Sequence, residues 1–170
     1  MKNYDNYTMK LILDPDPILK QRAVEWDFAV DTNASEVEEE MIKIMKTFYG
    51  RGLAGNQVGL LKRVFTIRLE QTGETLAMFN PKVSTLSETQ QTDEEGCLSF
   101  PNLWLKVKRP NKIDVEYLDK TGKECKITLT GIDARCFLHE LDHLDGITFT
   151  DKVSPMSVLL ARKKQRKNKW

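Results

Sequence analysis

Apolar residues recur along the chain with two different periods, and the alternation between them outlines the elements. Val37, Met41, Ile44, Met45 and Phe48 are spaced four, three, one and three apart, one stripe of a helix predicted over Asn33 to Tyr49. Ser35 with Glu38 forms a capping-box pattern at its start, and Gly50 marks its end. Arg63 to Leu69 (RVFTIRL) alternates as a strand, with a turn at Gly73 before LAMFN. The Ser/Thr/Glu/Gln stretch from Ser84 to Glu94 has neither period and is expected to be a loop. KIDVEYLD and KECKITLT flank a turn at Lys120 to Gly122 and predict a hairpin. Ile132 to Leu144 returns to the helical period, with Cys136, Phe137, Leu141 and Leu144 as its apolar positions. A short last helix opens at Ser154-Pro155, and Met156, Leu159 and Leu160 are expected to form its apolar side. Strands neighbour one another in sequence rather than alternating with helices, so an α+β fold is expected instead of a wound parallel sheet.

No repeat, low-complexity stretch or Pro/Gly/Ser-rich linker divides these elements, and 170 residues suit one domain. The boundaries expected are a flexible extension over residues 1–8, a catalytic domain over 9–161 and a basic C-terminal tail over 162–170. A chain of this size hides roughly 70% of its unfolded surface, enough for a core without disulfides. No apolar run approaches the ~18 residues of a membrane span, and MKNYDNYTMK lacks the apolar stretch of a secretory signal. With three cysteines, Cys97, Cys125 and Cys136, at least one thiol stays unpaired, which favours a reducing compartment. The expectation is a cytoplasmic domain with no membrane partner.

The net charge of +1 hides an asymmetry. The last nine residues carry six basic side chains and no acid, leaving 20 basic against 25 acidic residues elsewhere, a net −5. Such a body is not suited to sequence-specific nucleic-acid binding, which rests on clustered Lys and Arg. The tail alone is suited to an anionic partner, or simply to the negative end of a helix dipole.

Both histidines of the chain stand four apart, in His139-Glu140-Leu141-Asp142-His143. On a helix these positions share a face, so two imidazoles can reach one ion. Glu140 lies off that stripe, where its carboxylate can lean over a water. This is the H-E-x-x-H arrangement of two nitrogen ligands and a carboxylate base. A catalytic site needs a third ligand. The position of a third metzincin histidine is Phe149, and no glutamate follows His143; Asp145 and Asp151 stand at spacings without a template. The thiolates suit Zn2+ or Fe2+ better. Cys125 sits in an alternating strand as a packing residue, and Cys136 shares the histidine helix. Cys97 is favoured, because Gly96 beside it permits close backbone approach.

Glu95-Gly96-Cys97-Leu98-Ser99, His139-Glu140-Leu141-Asp142-His143 and Gly50-Arg51-Gly52-Leu53-Ala54-Gly55-Asn56-Gln57 stand in the order and spacing of the three motifs of peptide deformylases. The chain resembles that family from about Leu11 to Ser154-Pro155, Phe79-Asn80-Pro81 included. The resemblance implies antiparallel sheets packed around a central helix that carries the H-E-x-x-H motif. It implies a hydrolase that removes the formyl group from N-terminal formyl-methionine of nascent polypeptides, with release of formate. Cys97, His139 and His143 would hold one divalent metal, Fe2+ by family habit, with Zn2+ or Ni2+ able to take its place. Metal-bound water would be the nucleophile, and Glu140 would move its proton to the leaving amine. The Leu98 N–H and the Gln57 amide would stabilise the oxyanion. The Gly52 carbonyl would accept the substrate N–H, with Arg51, Ile132 and Cys136 lining the substrate site. Glu95 and Arg109 would brace the metal loop. The chain departs from the family at Gly55, where a second alanine is usual and a looser Gln57 loop is expected. It also departs at Leu138, which replaces a glutamine, and Trp104 stands on a substrate-contacting segment. A different N-terminal amidase and a non-catalytic ribosome-binding protein with a structural metal are the competing readings. Glu140 argues against the second, since a closed structural site has no use for a base.

Overall fold

The computed structural model describes residues 9–167. Its elements are α1 (Ala34–Thr47), β1 (Gly52–Ala54), β2 (Val64–Arg68), β3 (Thr75–Leu86), β4 (Gln90–Cys97), β5 (Phe100–Pro110), β6 (Lys112–Leu118), β7 (Glu124–Thr130), α2 (Gly131–Leu144) and α3 (Pro155–Lys167). The expected extension at residues 1–8 and the last three residues of the expected tail lie outside the described residues. Five strands form one antiparallel sheet in the order β1-β2-β3-β6-β7, and β4 with β5 forms a separate two-stranded ribbon. The fold is α+β, as the sequence predicts. Among the described residues no helix is long and apolar enough to cross a membrane.

Two helices cover the two faces of the large sheet. On one, Phe65, Ile67, Met78, Val115 and Leu129 pack with Phe137 and Leu144 of α2. On the other, Val64, Ala77 and Phe79 meet Val37, Met41 and Met45 of α1. Each fully buried apolar side chain of this kind contributes about 1.5–3 kcal/mol. Coverage on both faces explains why Val64 to Ile67 are all buried although the strand alternates in sequence. A third cluster, Leu19, Phe100, Leu103, Leu105, Val107 and Phe149, lies under the ribbon.

Several local expectations change. The Ser35–Glu38 box does not form: the helix starts at Ala34, its N-cap is Asn33 without a side-chain bond, and Glu38 instead pairs with Lys120 at 2.8 Å. At the other end Tyr49, not glycine, takes the left-handed conformation (φ 56°). Gly50 is reserved for a close approach, because a Cβ there would lie 2.6 Å from Leu98 Cδ1.

The stretch from Ser84 to Glu94 is mostly strand rather than loop. The end of β3 pairs with β6 (Val83 with Val115, Leu86 with Ile113), and β4 pairs with β5 (Gln91 with Arg109, Glu95 with Leu105). These strands project beyond the core, so backbone pairing holds them while their side chains stay solvated and lack an apolar period. β5 has no counterpart in the expectation, although Leu103, Leu105, Val107 and Arg109 alternate inward along it.

The last helix extends through Arg162 to Lys167, so most of the expected basic tail is helical. Its expected apolar side faces outward, with Met156 at 61%, Leu159 at 49% and Leu160 at 57% exposure. Val158 and Ala161 pack on the ribbon cluster instead. Polar anchors set this rotation: Arg162 bonds Asp14 at 2.8 Å and lies over the Phe100 ring, and Gln165 donates to the Pro101 carbonyl at 2.7 Å.

Gly55 opens a single 3-10 turn, Gly55–Val58, that carries Gln57. A Cβ on it would lie 2.5 Å from the Leu60 carbonyl oxygen and 2.9 Å from that of Lys62. Its own carbonyl accepts from Leu60 N at 2.9 Å, and the Gln57 carbonyl accepts from Ile12 N at 2.8 Å. The departure at Gly55 therefore tightens the Gln57 loop rather than loosening it. Gly55→Ala should destabilise the protein by about 1–3 kcal/mol through overpacking against backbone. Urea unfolding measures this, and an unchanged midpoint would contradict the close approach.

Candidate metal centre and catalytic cleft

The cleft opens where three separate pieces of chain converge. The free edge of β1 and the turn after it bring Gly52 and Gln57, the end of β4 brings Glu95 to Cys97, and α2 brings both histidines. Around it lies a cavity of about 710 Å3 whose lining includes Arg51, Gly52, Gln57, Cys97, Leu98, Ile132, Cys136, His139 and Glu140. All the residues expected to bind substrate or assist catalysis thus meet in one place, with His143, Glu95 and Arg109 around and behind the histidine helix.

One ligand atom from each of Cys97, His139 and His143 lies within 4.8 Å of the other two, and no other such group was found among the described residues. Cys97 Sγ is 3.3 Å from His143 Nε2. Tetrahedral bonds of about 2.3 Å to sulfur and 2.1 Å to nitrogen put those atoms roughly 3.6 Å apart, so one ion fits with small adjustment. His139 offers Nε2, because its Nδ1 is bound to Glu95 Oε2 at 2.9 Å. Buried His143 keeps an unpartnered Nδ1 among the described residues. The substituted Leu138 packs against the α2 side of the core and offers no polar contact in place of a glutamine.

Behind His139 stands a buried knot of charge. Glu95 accepts from Arg109 Nε and from Arg109 Nη2 at 3.0 Å, and Arg109 Nη1 reaches Asp142 at 2.8 Å. Burial pushes the Glu95 carboxyl up, but its bonds to His139 and Arg109 outweigh that and hold it at about 2. The pairing expected of Glu95 and Arg109 is present and buried, at 5% and 4% exposure, not a surface ion pair. Arg135 also bonds Glu95. It escaped the sequence reading, although its position one turn before His139 on the same helix face was the available signal.

The two imidazoles are held oppositely. Burial depresses His139, yet its bonds to Cys97 and Glu95 lift it well above the ordinary range. Burial and the neighbouring His139 hold His143 well below it. Glu140 is buried with Oε2 unpartnered among the described residues. Burial, opposed by His139 and reinforced by Glu95, pushes its carboxyl up to about 7.

The Gln57 carboxamide is oriented by its oxygen, which accepts from Ala54 N at 2.9 Å. Its Nε2 then points to Ser99 Oγ (3.0 Å) and Cys97 Sγ (3.4 Å). Gly52 leaves room for Glu140, since a Cβ there would collide with the carboxylate. Ile132 is 44% exposed, a wall of the cleft rather than core. The Cys136 thiol is pushed well above its usual range, by burial first and Glu140 second. Arg51 pairs with Glu70 at the rim. Trp104 lies against Gly96, where a Cβ would meet its ring at 2.8 Å.

A family model described as polypeptide deformylase matches residues 8–158. The peptide deformylase of Thermodesulfovibrio yellowstonii is 40% identical over 158 residues, covering 91% of this chain and 94% of that one. Among solved structures, the Thermotoga maritima peptide deformylase superposes with TM-score 0.81 at 34% identity, over 88% of this chain and all of that one. A peptide deformylase from Synechococcus elongatus in complex with actinonin gives TM-score 0.85 at 32% identity, covering 97% and 90%.

The position of Glu140 has a measurable consequence. A carboxyl raised from 4.5 to about 7 by folding contributes stability that is fully present below pH 4.5 and lost as pH rises through 7. In the metal-free protein, Glu140→Gln should remove that loss. The variant should be more stable than wild type at pH 8 by about 3 kcal/mol and similar to it at pH 4.5. Urea titrations across pH measure the difference, and parallel profiles would show that Glu140 titrates normally.

Proposed function

The chain belongs to the peptide deformylase family, hydrolases that remove the N-formyl group from the N-terminal formyl-methionine of nascent polypeptides with release of formate, and within that reaction we propose the following roles for its residues. The catalytic domain takes in residues 9–161 and the rest of α3 to Lys167, which Arg162 and Gln165 anchor to Asp14, Phe100 and Pro101. Cys97, His139 and His143 are the ligands of one divalent metal, Fe2+ in the cell, with Zn2+ or Ni2+ able to replace it. The observation that carries this reading is the compact Cys-His-His group with the buried, unpartnered Glu140 carboxylate beside it. Its mixed sulfur and nitrogen donors suit those ions. A divalent ion held there acidifies a water and polarises the formyl oxygen.

Glu140 takes the proton of the attacking water and delivers it to the amine nitrogen as the C–N bond breaks, leaving formate and a free N-terminus. Burial raises this carboxyl in the metal-free site, which favours the protonated form that Glu140 passes through between the two transfers. The Gln57 Nε2–H and the Leu98 backbone N–H donate to the oxygen on which negative charge builds. Support comes from the Ala54 N–H bond, which fixes the Gln57 amide before substrate arrives. The Gly52 carbonyl accepts the substrate amide N–H. Arg51, Ile132 and Cys136 line the site for the methionine and its neighbours, and burial keeps the Cys136 thiol protonated. Glu95 and Arg109 brace His139 and the Cys97 loop.

Anaerobically purified protein should contain one metal per chain, mainly iron, and release formate rapidly from formyl-Met-Ala-Ser. Glu140→Gln should lower kcat by about 10²–10⁴ with metal retained, and Gln57→Leu by about 10²–10³. Formate assay with metal analysis decides the matter. A preference for the acetylated over the formylated peptide would move the reading to another N-terminal amidase.

The protein acts in the cytoplasm, with nascent chains as substrates, and its basic end contacts the ribosome. Lys163, Lys164, Arg166 and Lys167 support this, since they stand exposed on α3 while Arg162 is occupied in packing. Replacing these four with glutamine should weaken co-sedimentation with ribosomes, more so at low salt, and leave turnover of a short formyl-peptide unchanged. Equal co-sedimentation would exclude the contact.

A further inference from the structure

Arg135 is the only arginine on α2, and it is buried at 7% exposure on the face that carries His139. Four residues apart on a helix, the two side chains point the same way, and both end on one carboxylate from another element. Arg135 Nη1 lies 2.9 Å from Glu95 Oε1, and His139 Nδ1 lies 2.9 Å from Glu95 Oε2. The same guanidinium bonds both strands of the ribbon: Nη1 donates to the Val107 carbonyl at 2.7 Å and Nη2 to the Gln91 carbonyl at 2.7 Å. Glu95 is two residues from Cys97 on β4. Three rigid pieces, helix, β4 and β5, are thus held by one planar group.

With Arg109 giving two further bonds, four donors surround Glu95. A carboxylate offers about four lone-pair sites, so its orientation is fully determined. We propose that Arg135 is a positioning residue for the metal centre: it fixes Glu95 so that the carboxylate holds the His139 Nδ1–H, and it sets the distance between the helix bearing the histidines and the strand bearing Cys97. The inference rests on the reading of Cys97, His139 and His143 as ligands. Loss of Arg135 would leave Glu95 with Arg109 alone as a cation and release the ribbon from α2, so the ligand cage would no longer be preformed. Lysine cannot replace it, because the single nitrogen of an ammonium cannot span three acceptors spread over two strands as the guanidinium fork does.

The test reads metal binding in the absence of substrate. Zn2+ affinity is measured by chelator competition for wild type, Arg135→Met, Arg135→Lys, Glu95→Gln and the Arg135→Met/Glu95→Gln double variant, each with circular dichroism of the metal-free form. Arg135→Met should weaken Zn2+ binding about 10- to 100-fold, the range for residues that orient a ligand, and Arg135→Lys should recover little of it. The double variant should bind nearly as well as Glu95→Gln alone, because both substitutions break one chain of contacts. Cobalt-substituted Arg135→Lys should show altered absorption bands, a change in the ligand cage that lost packing alone would not produce. Wild-type affinity in Arg135→Met would overturn the proposal, as would losses that multiply in the double variant. If Arg135→Met does not fold, the same cycle with Arg135→Lys gives the same decision. Formate release is a separate readout: an intact coupling in a protein without deformylase activity would refute the proposed function and leave this inference standing.

Discussion

The Glu95 carboxylate is the point on which the site depends. It lies buried at the meeting of the ribbon and the central helix, and it carries a charge that water cannot solvate there. A buried carboxylate is tolerable only when every lone pair is used and opposite charge stands close. Arg109 comes from the neighbouring strand, Arg135 and His139 from successive turns of α2. Removing one partner of such a cluster typically costs about 3–5 kcal/mol, so the arrangement is close to all-or-none. Arg109 continues the chain of contacts to Asp142, which lies between Glu140 and His143 in the helix. One network thereby orients the residues around both histidines.

The rest of the cleft follows from where side chains are absent. Gly50, Gly52 and Gly96 allow Leu98, Glu140 and Trp104 to lie against backbone, so the base and the metal loop both border one cavity. The segment at Ile12 and Asp14 then closes the turn over them, with its N–H groups bonded to the Gln57 and Ser99 carbonyls at 2.8 Å each. Catalysis by differential stabilisation needs donors that are fixed beforehand. The amide of Gln57 meets that condition through a bond inside its own turn.

Where the pattern of the chain misleads, the cause is a contact that no local rule contains. The end of β3 and the start of β4 look like a loop because their side chains are solvated, yet long-range backbone pairing makes them strands. Met156, Leu159 and Leu160 form an apolar stripe, but α3 turns it outward. The Arg162 pair with Asp14, its stacking on Phe100 and the Gln165 bond hold the other side down. Ser35 and Glu38 are spaced for a cap, but the helix starts earlier and Lys120 takes the glutamate.

By itself the sequence determined the residue types and their local spacing. H-E-x-x-H on a helical period brings two imidazoles to one face, because i and i+4 are neighbours on any helix. The order of the three motifs identified the family, and the alternating stretches identified β2 and the β6–β7 hairpin. What only the tertiary structure decided is which distant groups share a buried charge. The inward alternation of Leu103, Leu105, Val107 and Arg109 becomes meaningful only when β5 is laid beside α2. Arg135 acquires its contacts only when helix and ribbon close around Glu95, since the cost of burying that charge depends on the positions of all its partners at once.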